Sequence, residues 1–216
     1  MSDNCPKCWA DLQTPLFCES CDEVLETQVS NDSASPYRIL GVEPQFDLDR
    51  MTLRKRLLRL SRHLHPDVHR TADDETRERA ERNTAELNAA FEILEDEFRR
   101  ADWLVKSLGG PDEEAERQMP QAFLMEVLEW NEAIEDAQNS SPGSDERARL
   151  ESLENELRGE RESVMGEVAS MLNPLPQMNA PGLTEVRQKL NAVRYLDRAL
   201  HQIAELRLEQ ANTPTP

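Results

Sequence analysis

Residues 53–67 read Leu53-Arg-Lys-Arg-Leu-Leu-Arg-Leu-Ser-Arg-His-Leu-His-Pro-Asp67, and this stretch decides the fold of its region. Leucines recur at positions 53, 57, 60 and 64, a three- and four-residue spacing that predicts one buried helix face. A separate cationic stripe consists of Lys55, Arg59 and Arg62. Proline cannot continue a helix and keeps the preceding residue out of helical dihedrals. The helix should therefore end at a polar corner, His65-Pro66-Asp67.

A second long helix is predicted after this corner. The segment Thr71-Ala-Asp-Asp74 offers a helix start of the capping-box kind. Side chains suited to a buried face then alternate by three and four residues, at Thr84, Leu87, Phe91, Leu94 and Phe98. A short connection makes consecutive helices pack antiparallel. We therefore expect a helical hairpin that presents the polar corner at its tip.

The combined pattern resembles a J-domain, the module that stimulates ATP hydrolysis in DnaK-type chaperones. Upstream, Pro36-Tyr-Arg-Ile-Leu-Gly-Val42 matches the short first helix of that family. Tyr37 and Leu40 are its expected core residues, and Gly41 is its expected end. The alternative interpretation of the polar corner is a helix-breaking turn that only caps backbone groups and binds no partner.

The J-domain resemblance implies a chaperone-binding surface. His65, Pro66 and Asp67 would engage the DnaK-type chaperone. Charged residues on an interface mainly steer the encounter between partners. The cationic stripe would supply that steering, with a further contribution from Arg56.

The composition bounds the architecture and the class of partner. The 216-residue chain is 31% charged and 5% aromatic, which favours helical units with modest cores. Strand patterns are sparse, so the predicted fold class is all-α. The formal net charge of −18 disfavours a nucleic-acid binder, because phosphate contacts require positive surface. A protein partner fits this balance better.

The sequence also predicts where the chain resides. No apolar run approaches the length that spans a bilayer. The segment Met1-Ser-Asp-Asn-Cys5 lacks both the basic start and the apolar stretch of a secretory signal, and no arginine-rich transit segment is evident. We expect a cytoplasmic protein with no membrane partner, or a mitochondrial one only if a transit segment has been removed.

All four cysteines lie in the first 21 residues, as Cys5-Pro-Lys-Cys8 and Cys18-Glu-Ser-Cys21. Paired Cys-x-x-Cys turns place four thiolates around one tetrahedral ion, which predicts a structural zinc knuckle over residues 1–29. So short a segment cannot bury enough surface to fold without such a staple. The predicted metal ligands are Cys5, Cys8, Cys18 and Cys21.

Other uses of the four cysteines remain open at this point. Rubredoxin-like iron is compatible with four thiolates. Disulfides are disfavoured by the reducing compartment that the missing signal peptide indicates. A thiol-disulfide enzyme would normally carry its Cys-x-x-Cys motif in an α/β unit, which this sequence does not predict.

A composition break at Gly109-Gly-Pro-Asp112 ends the J-like unit, which we place at residues 36–108. Three further helical patterns predict a three-helix bundle over residues 121–212. The proline-rich segment 173–182 separates the last two patterns, and no role for it follows from the sequence. In the middle helix, Gly159 and Gly166 weaken the prediction of an uninterrupted helix. The first helix has a core stripe made of Phe123, Val127, Trp130, Ile134 and Ala137.

Three apolar residues of that first helix fall outside its core stripe. They share a side of the helix with acidic residues, and such spare apolar surface often marks a partner site. We call this set the spare face: Leu124, Met125, Leu128, Glu129, Glu132 and Asp136. In the last helix, the spacing projects Tyr195 away from Val186, Leu190, Val193 and Leu200, as a second exposed candidate.

The segments Phe123-Leu-Met-Glu-Val-Leu-Glu-Trp130 and Arg194-Tyr-Leu-Asp-Arg198 resemble the HscB family of iron-sulfur co-chaperones. The resemblance extends from about residue 36 to residue 210, and the cysteine knuckle resembles that of the eukaryotic relatives. It implies that an IscU-type iron-sulfur scaffold protein is held by Leu124, Met125, Leu128, Glu129, Glu132, Asp136 and Tyr195. Asp136 and Tyr195 depart conservatively from the usual glutamate and phenylalanine of that family.

The resemblance further implies a dedicated, HscA-like chaperone of the DnaK type. The predicted function is that of a non-enzymatic co-chaperone, which recruits the scaffold to this chaperone and stimulates its ATPase for cluster transfer. A general J-protein that delivers unfolded clients is the nearest alternative. A zinc-knuckle regulator that binds nucleic acid is a second one, weakened because Lys7 is the only basic residue in 1–29.

Overall fold

The structure is a computed structural model that describes residues 4–26, 35–65, 67–140 and 144–212. Two compact units, Met1–Trp103 and Leu104–Pro216, divide the chain. Helices carry the fold of both: α1 (Pro36–Leu40), α2 (Arg50–Leu64), α3 (Asp74–Glu95), α4 (Glu97–Ser107), α5 (Gln121–Asn139), α6 (Asp145–Leu172) and α7 (Gly182–Asn212). Within the described ranges, β pairing is limited to isolated bridges, so the all-α prediction is confirmed. No helix in these ranges is long and apolar enough to cross a membrane.

The short helix α1 ends as the sequence predicts. Gly41 follows it with φ of 63°, a left-handed conformation that glycine adopts without strain. A Cβ at this position would lie only 2.7 Å from the backbone oxygen of Gln13, so the amino-terminal segment also requires glycine here. Tyr37 and Leu40 are buried, as expected.

The helices α2 and α3 form the predicted antiparallel hairpin. At one end, Arg50 and Arg54 of α2 both pair with Glu95 of α3, at 3.0 and 2.8 Å. At the other end, the hydroxyl of Thr84 donates to Ala80 O at 2.8 Å and lies 3.5 Å from the backbone oxygen of Leu64. Each helix starts on an aspartate whose carboxylate accepts backbone N–H groups, Asp49 for α2 and Asp73 for α3.

One part of the second-helix prediction is wrong. The helix α3 ends at Glu95 with Asp96 in an extended conformation, so Phe98 lies on the next helix, α4. Of the α2 leucines, 53, 60 and 64 are buried, whereas Leu57 is only half-buried. Local capping by the Asp96 carboxylate, which accepts the N–H of Arg99 at 2.8 Å, starts the new helix.

Two polar side chains, those of Tyr37 and Arg100, are buried in the core of the first unit. The hydroxyl of Tyr37 donates to the backbone oxygen of Gln45 at 2.8 Å, and burial raises the pKa of this phenol. Its ring lies 5.4 Å from that of Trp103 on α4. The buried guanidinium of Arg100 lies 5.0 Å from the ring of Phe46 and donates to the backbone oxygen of Leu94. These contacts attach the start of α4 to α1 and α3.

The second unit contains the predicted three-helix bundle. The helix α6 runs through Gly159 and Gly166 without interruption, so the doubt raised by these glycines is resolved. On α5, Phe123, Val127 and Trp130 are only half-buried, because the core stripe is covered mainly at the carboxyl end of this helix. One cluster of the bundle core contains Ile134, Ala137, Leu150, Leu157, Leu196, Ala199, Ile203 and Leu206.

Two connecting segments of the second unit are held by hydrogen bonds that their backbone atoms form. Arg187 Nε on α7 donates to the backbone oxygen of Pro111 at 2.9 Å, and Asn191 Nδ2 donates to that of Glu116 at 2.7 Å. In the proline-rich segment, the N–H of Asn179 donates to the backbone oxygen of Leu108 at 2.6 Å. The segment 173–182 thus holds the chain that leaves α4.

Two glycines of the second unit should respond in opposite directions to alanine. Gly110→Ala should destabilise the unit by about 1–3 kcal/mol, because its Cβ would lie 2.7 Å from Val105 Cγ1 and 2.9 Å from Leu183 Cβ. Gly159→Ala should stabilise α6 by about 0.5–1 kcal/mol, since its Cβ would meet nothing within 4 Å. Urea unfolding measures both free energies, and equal effects would contradict the packing at Gly110.

Candidate functional site

The two Cys-x-x-Cys turns of the knuckle, described here over residues 4–26, repeat one backbone pattern. In the first turn, the N–H of Trp9 donates to Cys5 O at 2.9 Å, and Trp9 has φ of 62°. In the second, the N–H of Asp22 donates to Cys18 O at 2.9 Å, and Asp22 has φ of 55°. The two turns thus present their cysteine pairs in the same way.

The four cysteine thiols meet at one point. Cys5 Sγ lies 3.7 Å from Cys21 Sγ, Cys8 Sγ lies 3.6 Å from Cys18 Sγ, and all four sulfurs are within 4.8 Å of one another. Metal–sulfur bonds of about 2.3 Å in a tetrahedron require sulfurs about 3.8 Å apart. All four cysteines are free thiols. The cluster therefore fits a tetrahedral metal ion.

The pKa values of the Cys5 and Cys21 thiols shift in opposite directions. Burial resists ionisation of Cys5, but donation from the backbone of Cys8 and Lys7 and from neighbouring thiols lowers its pKa to about 7. For Cys21, the backbone N–H of Glu23 favours the thiolate, yet burial and the other thiols raise its pKa. Because four thiolates cannot form together without a compensating cation, metal binding here would release protons.

The knuckle is attached to the helices by buried polar contacts. The side-chain amide of Asn83, on α3 and 1% exposed, donates to Leu16 O at 2.7 Å and Leu25 O at 2.9 Å. The hydroxyl of Thr14 donates to Ile39 O at 2.8 Å. The ring of Phe17 stacks on the imidazole of His63 with centroids 4.6 Å apart. The knuckle and the helices α1, α2 and α3 therefore belong to one compact unit.

Sequence reasoning missed Asn83. A usable signal exists, because this polar residue occupies a buried-face position of α3, between Ala80 and Leu87 at three- and four-residue spacing. A buried asparagine must find hydrogen-bond partners. Its partners lie in another element, which a single helix pattern does not identify.

The cationic stripe is only partly free for a partner. Arg59 pairs with Glu19 of the knuckle. Lys55 and Arg62 are exposed, and neither forms an ion pair with a described residue. Arg56, expected to assist chaperone binding, directs Nη1 to the backbone oxygen of Leu40 at 3.3 Å. It therefore supports the end of α1.

The polar corner is exposed at the end of α2. The side chains of His65 and Asp67 are largely accessible, while Pro66 lies outside the described residues. The N–H of Asp67 donates to His65 Nδ1 at 3.2 Å, and His69 Nε2 donates to His63 O at 2.7 Å. The carboxylate of Asp67 caps no backbone group in the described part of the chain. Its charge is thus available to a partner.

The spare face of α5 is accessible. Leu124, Met125 and Leu128 are 41%, 53% and 56% exposed, which confirms that they lie outside the bundle core. The acidic members Glu129, Glu132 and Asp136 are also exposed.

The expected exposure of Tyr195 is only partly correct. It is half-buried, because its ring contacts that of Phe123 edge-on with centroids 5.8 Å apart. This contact places Tyr195 of α7 beside the start of the spare face. Binding roles of all these residues stay predictions.

Two family models match the chain. One is described as DnaJ domain and matches residues 35–103; the other is described as HSCB C-terminal oligomerisation domain and matches residues 119–204. The first match lies within the unit that carries the polar corner, and the second lies within the unit that carries the spare face.

This chain matches most of the length of two curated relatives, each named "Co-chaperone protein HscB homolog". The protein of Ralstonia nicotianae is 31% identical over 67% of this chain and 81% of the relative. That of Burkholderia thailandensis is 33% identical over 64% of this chain and 78% of the relative.

Solved structures share the fold. The structure titled "Chaperone HscB from Vibrio cholerae" has a TM-score of 0.68 at 20% identity, covering 82% of this chain and 99% of its own. "Crystal structure of human co-chaperone protein HscB" has a TM-score of 0.74 at 20% identity, covering 97% of this chain and 100% of its own.

Each chain is expected to hold one metal ion, and Cys18→Ser should abolish this binding, because a buried thiolate ligand is lost. Elemental analysis of the purified protein measures the ratio of metal to chain. Ser20→Ala, in the same turn but outside the cluster, is the matched control and should retain the metal. Full metal content in Cys18→Ser would contradict the four-thiolate site.

Metal removal should unfold the knuckle and leave the helices largely intact, because the knuckle has little apolar core of its own. After chelation, hydrogen exchange should accelerate over residues 5–25, while helical circular dichroism changes little. Unchanged exchange in the knuckle would show that it folds without metal.

Proposed function

Because this chain belongs to the HscB family of co-chaperones, we propose that it recruits an IscU-type iron-sulfur scaffold protein to an HscA-like chaperone of the DnaK type. In this proposal it stimulates the ATPase of that chaperone and so promotes cluster transfer from the scaffold. It acts by binding and carries out no covalent chemistry. A cytoplasmic location stays a prediction of the sequence.

The observation that carries the proposal is the spare face. Isolated exposed apolar residues are ordinary on protein surfaces, but three on one side of a helix whose other side enters a core form a patch. The acidic residues beside the patch would add charge selectivity for a folded partner with a basic rim.

The chaperone end of the proposed mechanism rests on the polar corner and the cationic stripe. To stimulate hydrolysis, His65, Pro66 and Asp67 must bind one conformation of the chaperone more tightly than another. The exposed carboxylate of Asp67 supports this role, since it contributes no backbone cap to its own fold. Lys55 and Arg62 would raise the association rate, and this contribution should weaken with salt.

We further propose that the metal of the knuckle is zinc. Four thiolates in a closed tetrahedral arrangement with no open position are typical of structural zinc sites. The site would hold the knuckle against α2 and α3. Elemental analysis that finds iron in the freshly purified protein would refute this assignment.

Asp67→Asn is expected to abolish stimulation of the chaperone ATPase while leaving the fold intact, because an exposed carboxylate contributes little to packing. Single-turnover ATP hydrolysis by an HscA-like chaperone measures the effect. Asp47→Asn, an equal charge change at another exposed position, should stimulate normally. Normal stimulation by folded Asp67→Asn would refute the role of the corner.

Replacing Leu124, Met125 and Leu128 together with alanine should weaken scaffold binding at least about tenfold, with little loss of stability, because all three side chains are exposed. Calorimetric titration with an IscU-type scaffold measures the affinity. Met178→Ala combined with Leu208→Ala removes other exposed apolar side chains and should bind normally.

Ile134→Ala, in the core, should instead cost about 2–5 kcal/mol of stability. Unchanged affinity in the folded triple variant would eliminate this face as the binding site.

A further inference from the structure

A cavity of about 430 Å³ lies in the second unit, between α7 and the segment that precedes α5. Three arginines line it, Arg117, Arg194 and Arg198, together with the glutamates Glu113 and Glu114. The cavity therefore has a local excess of positive charge in a chain whose net charge is −18. The predicted scaffold residue Tyr195 lines the same cavity.

The charges in the cavity are not balanced internally. Arg194 pairs with Glu113, which accounts for one positive and one negative group. Arg117 and Arg198 are exposed, and neither pairs with a carboxylate in the described part of the chain. Arg194 and Arg198 are four residues apart on α7, so both lie on one side of this helix. The cavity thus offers guanidinium donors to an anionic group.

A buried amide in the cavity wall has an unused acceptor. Asn191 is 6% exposed, and its Nδ2 donates to the backbone oxygen of Glu116 at 2.7 Å, which defines the orientation of the amide. Its Oδ1 accepts no hydrogen bond from any described residue. Buried acceptors normally have a donor. This oxygen has almost no accessible surface, so it belongs to the cavity wall, and its unsatisfied acceptor adds to the polar character of that wall.

Tyr195 belongs both to the cavity lining and to the predicted scaffold-binding residues. The ring of Tyr195 contacts Phe123, which directly precedes Leu124 in the sequence. A protein bound on the spare face would therefore reach the cavity over adjoining surface. The apolar face and the basic cavity would contact different chemistry on one partner.

We propose that this cavity binds an acidic polypeptide segment of the protein held by the spare face. A carboxylate of that segment accepts hydrogen bonds from Arg117 and Arg198, beside the polar wall that Asn191 forms. Arginine suits this role because its planar donors match a carboxylate. The identity of the partner as an IscU-type scaffold rests on the proposed function, whereas the preference for an acidic peptide rests on the cavity itself.

The preference for an acidic peptide is tested without the scaffold. A blocked peptide, acetyl-Glu-Glu-Glu-amide, is titrated into the ¹⁵N-labelled full chain, with acetyl-Gln-Gln-Gln-amide and sodium acetate as comparison probes. The acidic peptide should cause saturable shifts of the Asn191 side-chain amide and of Arg117 and Arg198 Nε. No saturable shift, or equal shifts with either comparison probe, would overturn the proposal.

The assignment of the partner is tested with the whole scaffold. Arg117→Gln combined with Arg198→Gln should lower the affinity of an IscU-type scaffold at least about tenfold, because two charged hydrogen-bond donors are lost. Arg149→Gln, an exposed arginine on α6 outside the cavity lining, is the control and should bind as the natural chain does.

The two titrations separate the possible failures. If the natural chain binds the scaffold and the double variant binds it equally well, the cavity is not part of the interface and the proposal is overturned. If the natural chain binds no IscU-type scaffold, the proposed function fails, and the peptide titration still decides the chemistry of the cavity. If the acidic peptide shifts the signals of the natural chain but not those of the double variant, the shifts originate in the cavity.

Discussion

The side-chain amide of Asn83 is the contact on which the arrangement of the first unit depends. A segment as short as the knuckle cannot enclose its own backbone, so the carbonyls of Leu16 and Leu25 need donors from elsewhere. One amide on α3 serves both, at 2.7 and 2.9 Å. Because the same helix also packs against α1 and α2, this contact relates the thiol cluster to the helical hairpin. The pairing of Glu19 with Arg59 follows from that placement.

The two surfaces proposed to bind partners have a common physical character. His65 and Asp67 of the polar corner and the residues of the spare face project side chains that contribute little to the cores of their own units. The helices beside them are nevertheless anchored, because the opposite sides of α2 and α5 are packed at Leu60 and Ile134. Binding residues can therefore differ in chemistry without a large cost in folding free energy. Surface positions with such freedom are where partner specificity can be set.

Sequence patterns within single segments predicted most of this fold, whereas they did not predict the contacts between distant segments. The hairpin, the end of α1 at Gly41, the thiol cluster and the exposure of Leu124, Met125 and Leu128 each follow from spacing within one segment. One of the errors is local, at Asp96, and the other two arose where another element intervenes. Asp96 ends α3 by starting a new cap, Tyr195 is covered by Phe123 of α5, and Asn83 is explained only by carbonyls in the knuckle.

The Asn83 contact also has a consequence for the order in which the protein matures on the ribosome. Leu16 is synthesised 67 residues before Asn83, and Leu25 precedes it by 58 residues. The cysteines therefore emerge while the helix that completes their surroundings has still to be made. Metal capture can begin on the nascent chain, but the knuckle carbonyls stay hydrated until α3 arrives. The knuckle thus precedes α3 in synthesis, yet its backbone reaches its native environment only once that helix has formed.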